Sequence, residues 1–254
     1  MAIYHRSLHQ SGFSLVELSI VLVILGLLTG GILAGQNLIR AAELRAVTSE
    51  YNRFTTATQT FRDQYFALPG DIPNAFDYWG AAVGCTDVDV GANQNGCNGN
   101  GDGLIDNSVN GGTGGENLRF WQHLALAGLI EGSYSGVSSG SVWGYDGTNT
   151  PRSKLSNGLW GMWASDLNNV SGDYNWLDFA ALQASGQYPQ NPVLRPEEAW
   201  NIDTKMDDGV ANGGQVGAMP YGPVTACYDG GAIGPDYALS STAISCGMKF
   251  LLHK

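Results

Sequence analysis

Oxygen-bearing side chains recur at alternate positions in one short glycine-rich stretch of the chain. Asn98, Asn100 and Asp102 are separated by single glycines, and Asp106 follows a little further along. Alternating side-chain oxygens followed by a glycine are typical of the first half of a calcium-binding loop. Together with a backbone carbonyl near Leu104, these side chains could supply most of the roughly six to eight oxygens that calcium needs.

The same stretch departs from a complete calcium loop in two ways. Asn98 stands where the first acid is usual, and Val109 stands where a bidentate glutamate is usual. A more distant carboxylate such as Glu116 would have to complete the shell of oxygens. The alternative is an Asn/Gly-rich turn that is held by the neighbouring Cys97 and needs no metal. The residues leave both interpretations open.

A second acidic group lies further along the chain. Asp207 and Asp208 are adjacent, come directly before Gly209 and follow Asp203. Carboxylates this close together could bind calcium through their hard oxygens. The alternative is the C-terminus of a helix that runs into a turn. Asp207 and Asp208 are therefore a second candidate calcium site.

The cysteines form two pairs that are local in sequence, Cys85 with Cys97 and Cys227 with Cys246. Neither pair has the C-x-x-C spacing of a zinc site or a redox motif. An even number of cysteines in a Gly/Asn-rich context favours two structural disulfides and an oxidising compartment. The alternative is a set of buried free thiols, which a cytosolic location would require.

Histidines are few and show no catalytic arrangement. The chain has 4 histidines, at positions 5, 9, 123 and 253. His123 lies in an apolar helical stretch, where a structural role is expected rather than that of a base. The sequence contains no nucleophile elbow, phosphate loop or zinc spacing. We therefore predict a protein that is not an enzyme and has no organic cofactor.

The charge of the chain is negative and unevenly distributed. The formal net charge is −11, and residues 63–254 contain 7 basic and 20 acidic side chains. An acidic surface repels phosphate backbones, so nucleic acid is not expected as a partner. Divalent cations suit such a surface better. The 36 glycines also predict many turns and loops around a modest core.

The element that dominates the start of the chain is an apolar run. Residues 1–12 are polar, and residues 13–33 are almost wholly apolar. A helix needs about 20 apolar residues to cross the hydrocarbon layer of a membrane. A secretory signal has a shorter apolar core and a small-residue cleavage site beyond it, which is missing here. We predict a membrane-spanning helix over residues 13–35, preceded by a leader, residues 1–12, that is cut off.

Glu17 is the charged residue within this apolar run. A carboxylate inside a membrane segment costs about 3 kcal/mol on insertion scales and therefore suggests a function. The alternative is a tolerated polar residue that reaches the membrane interface from near the helix end.

Residues 12–17, Gly-Phe-Ser-Leu-Val-Glu, resemble the class III signal peptide of type IV pilins and type II secretion pseudopilins. The resemblance implies that a prepilin peptidase cuts between Gly12 and Phe13 on the cytoplasmic face and methylates the new amino group of Phe13. It also implies that Glu17 pairs with the Phe13 amine of a neighbouring subunit. Since a buried carboxylate is costly until a partner neutralises it, this pairing would fix the register between subunits.

The helix is expected to continue beyond the membrane. Residues 36–66 are amphipathic and contain no proline, and Pro69 and Gly70 supply a stop signal. The resemblance implies an α+β pilin fold, in which this helix packs on the antiparallel β-sheet of a globular head, residues 67–254. In the head we predict a turn at Ala75–Trp79 and a helix at Leu118–Ile130 that Asn117 could cap. Two further predicted helices are Trp176–Ala184 and Pro196–Met206, and the predicted strands are Leu159–Ala164, Val216–Tyr228 and Ala243–Leu252.

The function that the resemblance implies is structural: a subunit of a type IV pilus-like filament that polymerises through its N-terminal helix. Its partners would be other copies of itself or related pilins, the prepilin peptidase and the inner-membrane assembly machinery. The precursor would span the bacterial inner membrane once with its head outside the cytoplasm, and the filament would be extracellular or periplasmic. The alternative is a minor pilin or pseudopilin that acts as a surface adhesin, binds glycans or serves secretion. Some pseudopilins carry calcium in a C-terminal loop, which bears on Asp207 and Asp208.

Overall fold

The computed structural model of the protein describes residues 14–80, 85–89, 96–106, 115–138, 147–165, 174–182, 188–219, 226–231 and 233–253. The chain forms two compact units, Met1–Ala42 and Glu43–Lys254. The leader expected at residues 1–12, together with Phe13, lies outside the described residues.

The first helix, α1, covers Leu15–Tyr65 and contains 51 residues, which confirms the long N-terminal helix. It is long and apolar enough to cross a membrane, and the chain itself buries none of its most apolar stretch. Most side chains of that stretch are leucine, isoleucine and valine, and Leu15 is 85% exposed. Because water solvates such a surface poorly, the stretch is suited to lipid or to packing against neighbouring chains.

Within the second unit, α1 presents one buried stripe to the rest of the head. Val47, Phe54 and Phe61 recur at every seventh position and are buried, as expected for one side of a helix. Phe54 packs edge-on against Trp121 and Trp160, with ring centroids 5.0 and 5.5 Å apart. This stripe is the apolar side of the amphipathic pattern seen over residues 36–66.

An antiparallel sheet forms the other layer of the head. The strands are β1 (Thr86–Asp89), β2 (Gly96–Asn98), β3 (Leu159–Ser165), β4 (Tyr174–Leu182), β5 (Pro189–Asn191), β6 (Val216–Ala218) and β7 (Met248–His253). The sheet has the order β3-β4-β7-β6, with β5 paired to β4, and all of these pairings are antiparallel. β1 and β2 form a separate parallel pair.

The sheet packs on α1 through aromatic rings. Phe250 on β7 stacks on Tyr51, with ring centroids 5.0 Å apart, and the Tyr51 hydroxyl donates to the carbonyl of Leu251 at 2.8 Å. Trp160 on β3 fills the space between Phe54 and Phe179. A long helix followed by an antiparallel β-sheet head confirms the predicted α+β fold.

Three of the predicted elements are wrong or wrongly bounded. Trp176–Ala184, predicted as a helix, lies mainly in the central strand β4. Residues 175–180 are all buried, because β4 is covered on both faces, and an unbroken buried run hides the alternation that marks a strand. Among its described residues, the strand predicted at Val216–Tyr228 is limited to β6, and the one predicted at Ala243–Leu252 begins later, at Met248.

The remaining helices lie close to their predicted positions. They are α2 (Ala75–Trp79), α3 (Glu116–Leu126) and α4 (Pro196–Met206). Gly115 precedes the first residue of α3, so Asn117 lies inside the helix and does not cap it. α4 begins with proline, and the Glu198 carboxylate accepts the backbone N–H of Arg195 at 2.9 Å. Glu198 thus caps the first turn from one side, and the proline at that turn is the signal from which the start of α4 could be read in the sequence.

Candidate functional site

The Glu17 carboxylate lies in the first turn of α1 and folds back toward the start of the helix. Its Oε2 accepts the backbone N–H of Ser14 at 2.8 Å. The first N–H groups of a helix have no partner within it and carry partial positive charge, so a carboxylate here is stabilised. Gly12 and Phe13, the two residues of the expected cleavage site, lie outside the described residues. Glu17 is therefore directed toward the end of the helix at which the new amine would form.

The surroundings of Glu17 are apolar. Val16 and Leu18 are more than half exposed on either side of it, and further exposed aliphatic residues follow along α1. In lipid, or among neighbouring helices, such a carboxylate has few polar partners. An ammonium group supplied by another chain would neutralise it.

The candidate calcium loop is held together by its own hydrogen bonds. Asn98 is buried, and its Oδ1 accepts the backbone N–H of Phe76 at 2.9 Å. The Nδ2 group of Asn100 donates to Asp102 and Asp106 at 2.9 and 3.3 Å. Asn100 thus presents a donor to the two carboxylates that were expected to share an ion with it.

Two buried carboxylates from outside this loop accept hydrogen bonds from its backbone. Asp71 accepts the N–H groups of two loop glycines at 2.6 and 2.9 Å. Glu116, at the start of α3, accepts those of Asn100 and Asp106 at 2.8 and 2.9 Å. Glu116 was expected to approach this loop, whereas no local signal in the sequence connects Asp71 with it.

Three acids at the loop, Glu116, Asp71 and Asp106, have raised pKa values. Burial raises the pKa of Glu116 to about 8, and the charges of Asp71 and Asp106 add to this rise, although two backbone donors oppose it. Burial likewise raises the pKa of Asp71 to about 6. The pKa of Asp106 is raised by burial and then by the charge of Asp102. Because burial disfavours the charged form of these carboxyls, a proton or a bound cation would stabilise them.

The second acidic group converges more closely. Asp203, Asp207 and Asp208 each place a carboxylate oxygen within 4.8 Å of the others, and within the described ranges they are the acids that could hold one metal ion together. Asp203 is fully buried on α4, and the other two follow the end of that helix. The set consists of hard carboxylate oxygens, which suits calcium.

Hydrogen bonds fix the geometry of this group. The two oxygens of Asp203 accept the Tyr237 hydroxyl at 2.7 Å and the N–H of Gly209 at 3.0 Å. Burial raises the pKa of Asp203 to about 6, and the charges of Asp208 and Asp207 add to the rise, while these hydrogen bonds oppose it. A divalent cation would relieve this crowding of negative charge.

The cysteines are joined as Cys85–Cys97 and Cys227–Cys246, the two pairings that the sequence favoured. No free cysteine remains. The first disulfide adjoins the candidate calcium loop. The second joins the loop before β7 to the short 3₁₀ segment near residue 228, and the Cys246 carbonyl also accepts the N–H groups of Val193 and Leu194.

His123 is fully buried on α3, and its Nδ1 accepts the backbone N–H of Gly70 at 2.9 Å. The ring stacks near Trp79, with centroids 5.0 Å apart. Burial lowers its pKa to about 3, so the ring is neutral and unsuited to exchanging protons near pH 7. The contact ties α3 to the turn that follows α1.

Comparison with known proteins finds one family motif, at the start of the chain. Residues 7–33 match the prokaryotic N-terminal methylation motif. The match contains the expected cleavage site, Glu17 and the apolar beginning of α1. No curated protein and no solved structure matches the chain.

Proposed function

Since residues 7–33 carry the signature of type IV pilins and pseudopilins, we propose that the chain is a structural subunit of a type IV pilus-like filament. A prepilin peptidase cuts the leader between Gly12 and Phe13 and methylates the new amine, and the subunits then polymerise through α1. The head covers the outside of the polymer and has a structural rather than a catalytic role. The partners are other copies of the chain or related pilins and the inner-membrane machinery that assembles them.

The observation that carries this proposal is an exposed apolar helix with one carboxylate in its first turn. The chain buries none of its most apolar stretch, so the helix is suited first to lipid and then to the packed core of a filament. Glu17 is the acidic side chain of that stretch, and its carboxylate faces the start of the helix. A methylated amine on Phe13 of a neighbour would neutralise it where water is excluded.

Replacement of Glu17 tests the assembly step. In cells that make the filament, Glu17→Ala and Glu17→Gln should lower the amount of this protein in sheared filaments at least about tenfold, because the neighbour's amine loses its charged partner. Glu43→Ala, a change of another acid on α1, is the matched control and should have little effect. Wild-type incorporation of Glu17→Ala would contradict the proposal.

Mass spectrometry of sheared filaments tests the processing step. We expect an N-terminal peptide that begins with methylated Phe13. Abundant peptide supports a major subunit, and trace amounts support a minor or tip subunit. Protein that stays in the membrane fraction with residues 1–12 attached would refute the pilin proposal.

The alternative of a glycan-binding adhesin receives less support. It would need several tryptophans that face solvent side by side. Among the described tryptophans, Trp200 is the most exposed, at 36%, and Trp121, Trp160 and Trp176 are buried. These rings serve the core of the head, so a filament subunit remains the preferred function.

We also propose that calcium binds the head, and that its preferred ligands are Asp207 and Asp208 together with Asp203. The support is the convergence of three carboxylates and the raised pKa of Asp203. At the loop of Asn98, Asn100, Asp102 and Asp106 the donor set fits less well, because an Asn100 N–H group faces the two aspartates. When bound, calcium would offset the repulsion among the aspartates and tie the end of α4 to the segment that leads into β6.

A further inference from the structure

A lysine and an aspartate lie buried opposite each other in the sheet of the head. Asp178 on β4 is the direct partner of Lys249 on β7 in the antiparallel pairing of these strands. Lys249 is 2% exposed, and Asp178 is fully buried. Directly opposed residues have Cβ atoms about 4.5–5.5 Å apart and point to the same face, so the longer lysine side chain can reach the carboxyl group. The register of the sheet thus places an amine and a carboxyl within reach of each other.

The surroundings of this pair are largely apolar. Trp176 and Ala180 are the neighbours of Asp178 on the same face of β4, and both are buried. Met219, which is fully buried, belongs to the same apolar cluster as Ala180. The Lys249 Nζ lies 4.8 Å from the centre of the Trp176 ring, which confines the amine close to the sheet. A bond formed between the two side chains here would be protected from hydrolysis.

The charges of the pair are costly in such a place. Burial lowers the pKa of Lys249 to about 8, although the charge of Asp178 opposes this change. Transfer of one proton from the ammonium group to the carboxylate removes both charges and leaves a neutral amine, which is the nucleophilic form. Well-packed apolar side chains of the same size would often stabilise a fold as much as a buried ion pair does. The stability of the fold alone therefore does not explain the pair.

Tyr188, directly before β5, provides a hydroxyl group at the carboxyl. Its side chain is buried, and its hydroxyl donates a hydrogen bond to Oδ2 of Asp178. The Tyr188 ring packs edge-on against Trp163, with ring centroids 4.7 Å apart, which helps to fix its orientation. A phenol in this position can give its proton to Oδ2 and accept one from an attacking nitrogen. It therefore assists the departure of that oxygen.

We propose that Lys249 and Asp178 condense to an amide bond that joins β7 covalently to β4. The lone pair of Nζ attacks Cγ of Asp178, and the bond between Cγ and Oδ2 breaks. Oδ2 leaves as water with two protons from the nitrogen, and Oδ1 becomes the amide carbonyl. One ammonium and one carboxylate thus give one amide and one water, with no change of oxidation state.

The bond would strengthen the sheet at its last strand. The Cys227–Cys246 disulfide already fixes the segment before β7, and the amide would fix β7 itself between β4 and β6. The strand could then not be pulled out of the sheet without breaking a covalent bond. This inference is independent of the filament role, because it concerns the head of the single chain.

The first test is peptide mass spectrometry of the full chain after reduction, denaturation and digestion with trypsin. The wild type should give a branched peptide in which trypsin has not cut after Lys249. Its mass should be lower by one water than the sum of the two peptides that it joins. Lys249→Arg is the control and should give separate peptides, because a guanidinium stays charged and does not condense. Complete cleavage after Lys249 in the wild type would overturn the proposal and leave an ordinary ion pair.

The second test measures how fast the linked peptide forms in newly synthesised protein. Tyr188→Phe removes the proton donor and should slow its appearance at least about tenfold. Trp163→Phe changes the neighbouring ring, keeps the hydroxyl and should leave the rate close to that of the wild type. Equal rates in Tyr188→Phe and the wild type would refute the part assigned to Tyr188.

Discussion

The free energy of unfolding should fall as the pH rises from about 5 to 8, with Glu116 as the main cause. Its pKa is raised from 4.5 to about 8 because the carboxyl is buried on α3 beside other acids. Between these two values the folded chain keeps a proton that the unfolded chain has already lost. Raising the pH through this window therefore favours unfolding, and the stabilising contribution is complete only below about pH 4.5.

The size of the effect follows from the shift. Each unit of pKa difference corresponds to about 1.4 kcal/mol, so the three pH units from 5 to 8 correspond to about 4 kcal/mol as an upper value. Asp71 and Asp203, whose pKa values are raised to about 6, add to the loss only in the lower part of this range, whereas His123, whose pKa is lowered from 6.5 to about 3, opposes it there. A domain is stabilised by only about 5–15 kcal/mol in total, so a change of this size is easy to measure.

The assay is urea unfolding of the detergent-solubilised protein, followed by tryptophan fluorescence at several pH values with a chelator present. Glu116→Gln keeps a neutral group at this position but loses one acceptor for the loop, at a cost of about 1–3 kcal/mol at every pH. The wild type should therefore be the more stable protein at pH 5, and its advantage should vanish or reverse by pH 8. Glu131→Gln, a change of an exposed acid, is the control and should follow the wild type. Parallel profiles for the wild type and Glu116→Gln would refute the assignment.

Two further predictions concern the head. Calcium at about 100-fold above its Kd should raise the Tm of the wild type and of Asp102→Asn by roughly 5–10 °C. It should not change the Tm of Asp207→Asn, because the proposed ligands lie at the end of α4. Scanning calorimetry with calcium or chelator checks this, and an equal shift in all three proteins would contradict it. Phe54→Ala should lower the free energy of unfolding by about 3–5 kcal/mol, because it removes a ring packed between Trp121 and Trp160. The exposed change Gln59→Ala is the control and should cost less than about 0.5 kcal/mol. Urea unfolding checks this, and similar midpoints for the two variants would show that the buried stripe on α1 does not stabilise the head.

Sequence predicted the elements whose signals are local. The length of the apolar run and the stop at Pro69 and Gly70 defined α1 to within about two residues at each end. The proline at the first turn indicated the start of α4. The cysteine pairs were close enough in sequence to suggest their partners. In each case a few neighbouring residues determine the structure.

The elements that sequence missed depend on distant contacts. β4 was taken for a helix because both of its faces are buried by the rest of the head, and one of the strands that pair with its edges, β7, lies far away in the chain. Asp71 lies about 30 residues before the loop that it binds, and no neighbouring residue indicates that contact. The convergence of Asp203 with Asp207 and Asp208 likewise depends on how the chain turns after α4. The family resemblance is specific only over residues 7–66, so it could not supply these details of the head.

The position of β7 in the sheet determines when the head can finish folding during synthesis. β7 is the last strand of the described chain, yet it lies inside the sheet, between β4 and β6. The sheet cannot close until residues 248–253 arrive, and until then β4 has an open edge that could pair with another chain. In the proposed pathway, the N-terminal helix is already in the membrane during this interval. A subunit therefore becomes competent to join a filament only after synthesis has passed β7, and a nascent chain stalled earlier would be anchored but unable to finish its head.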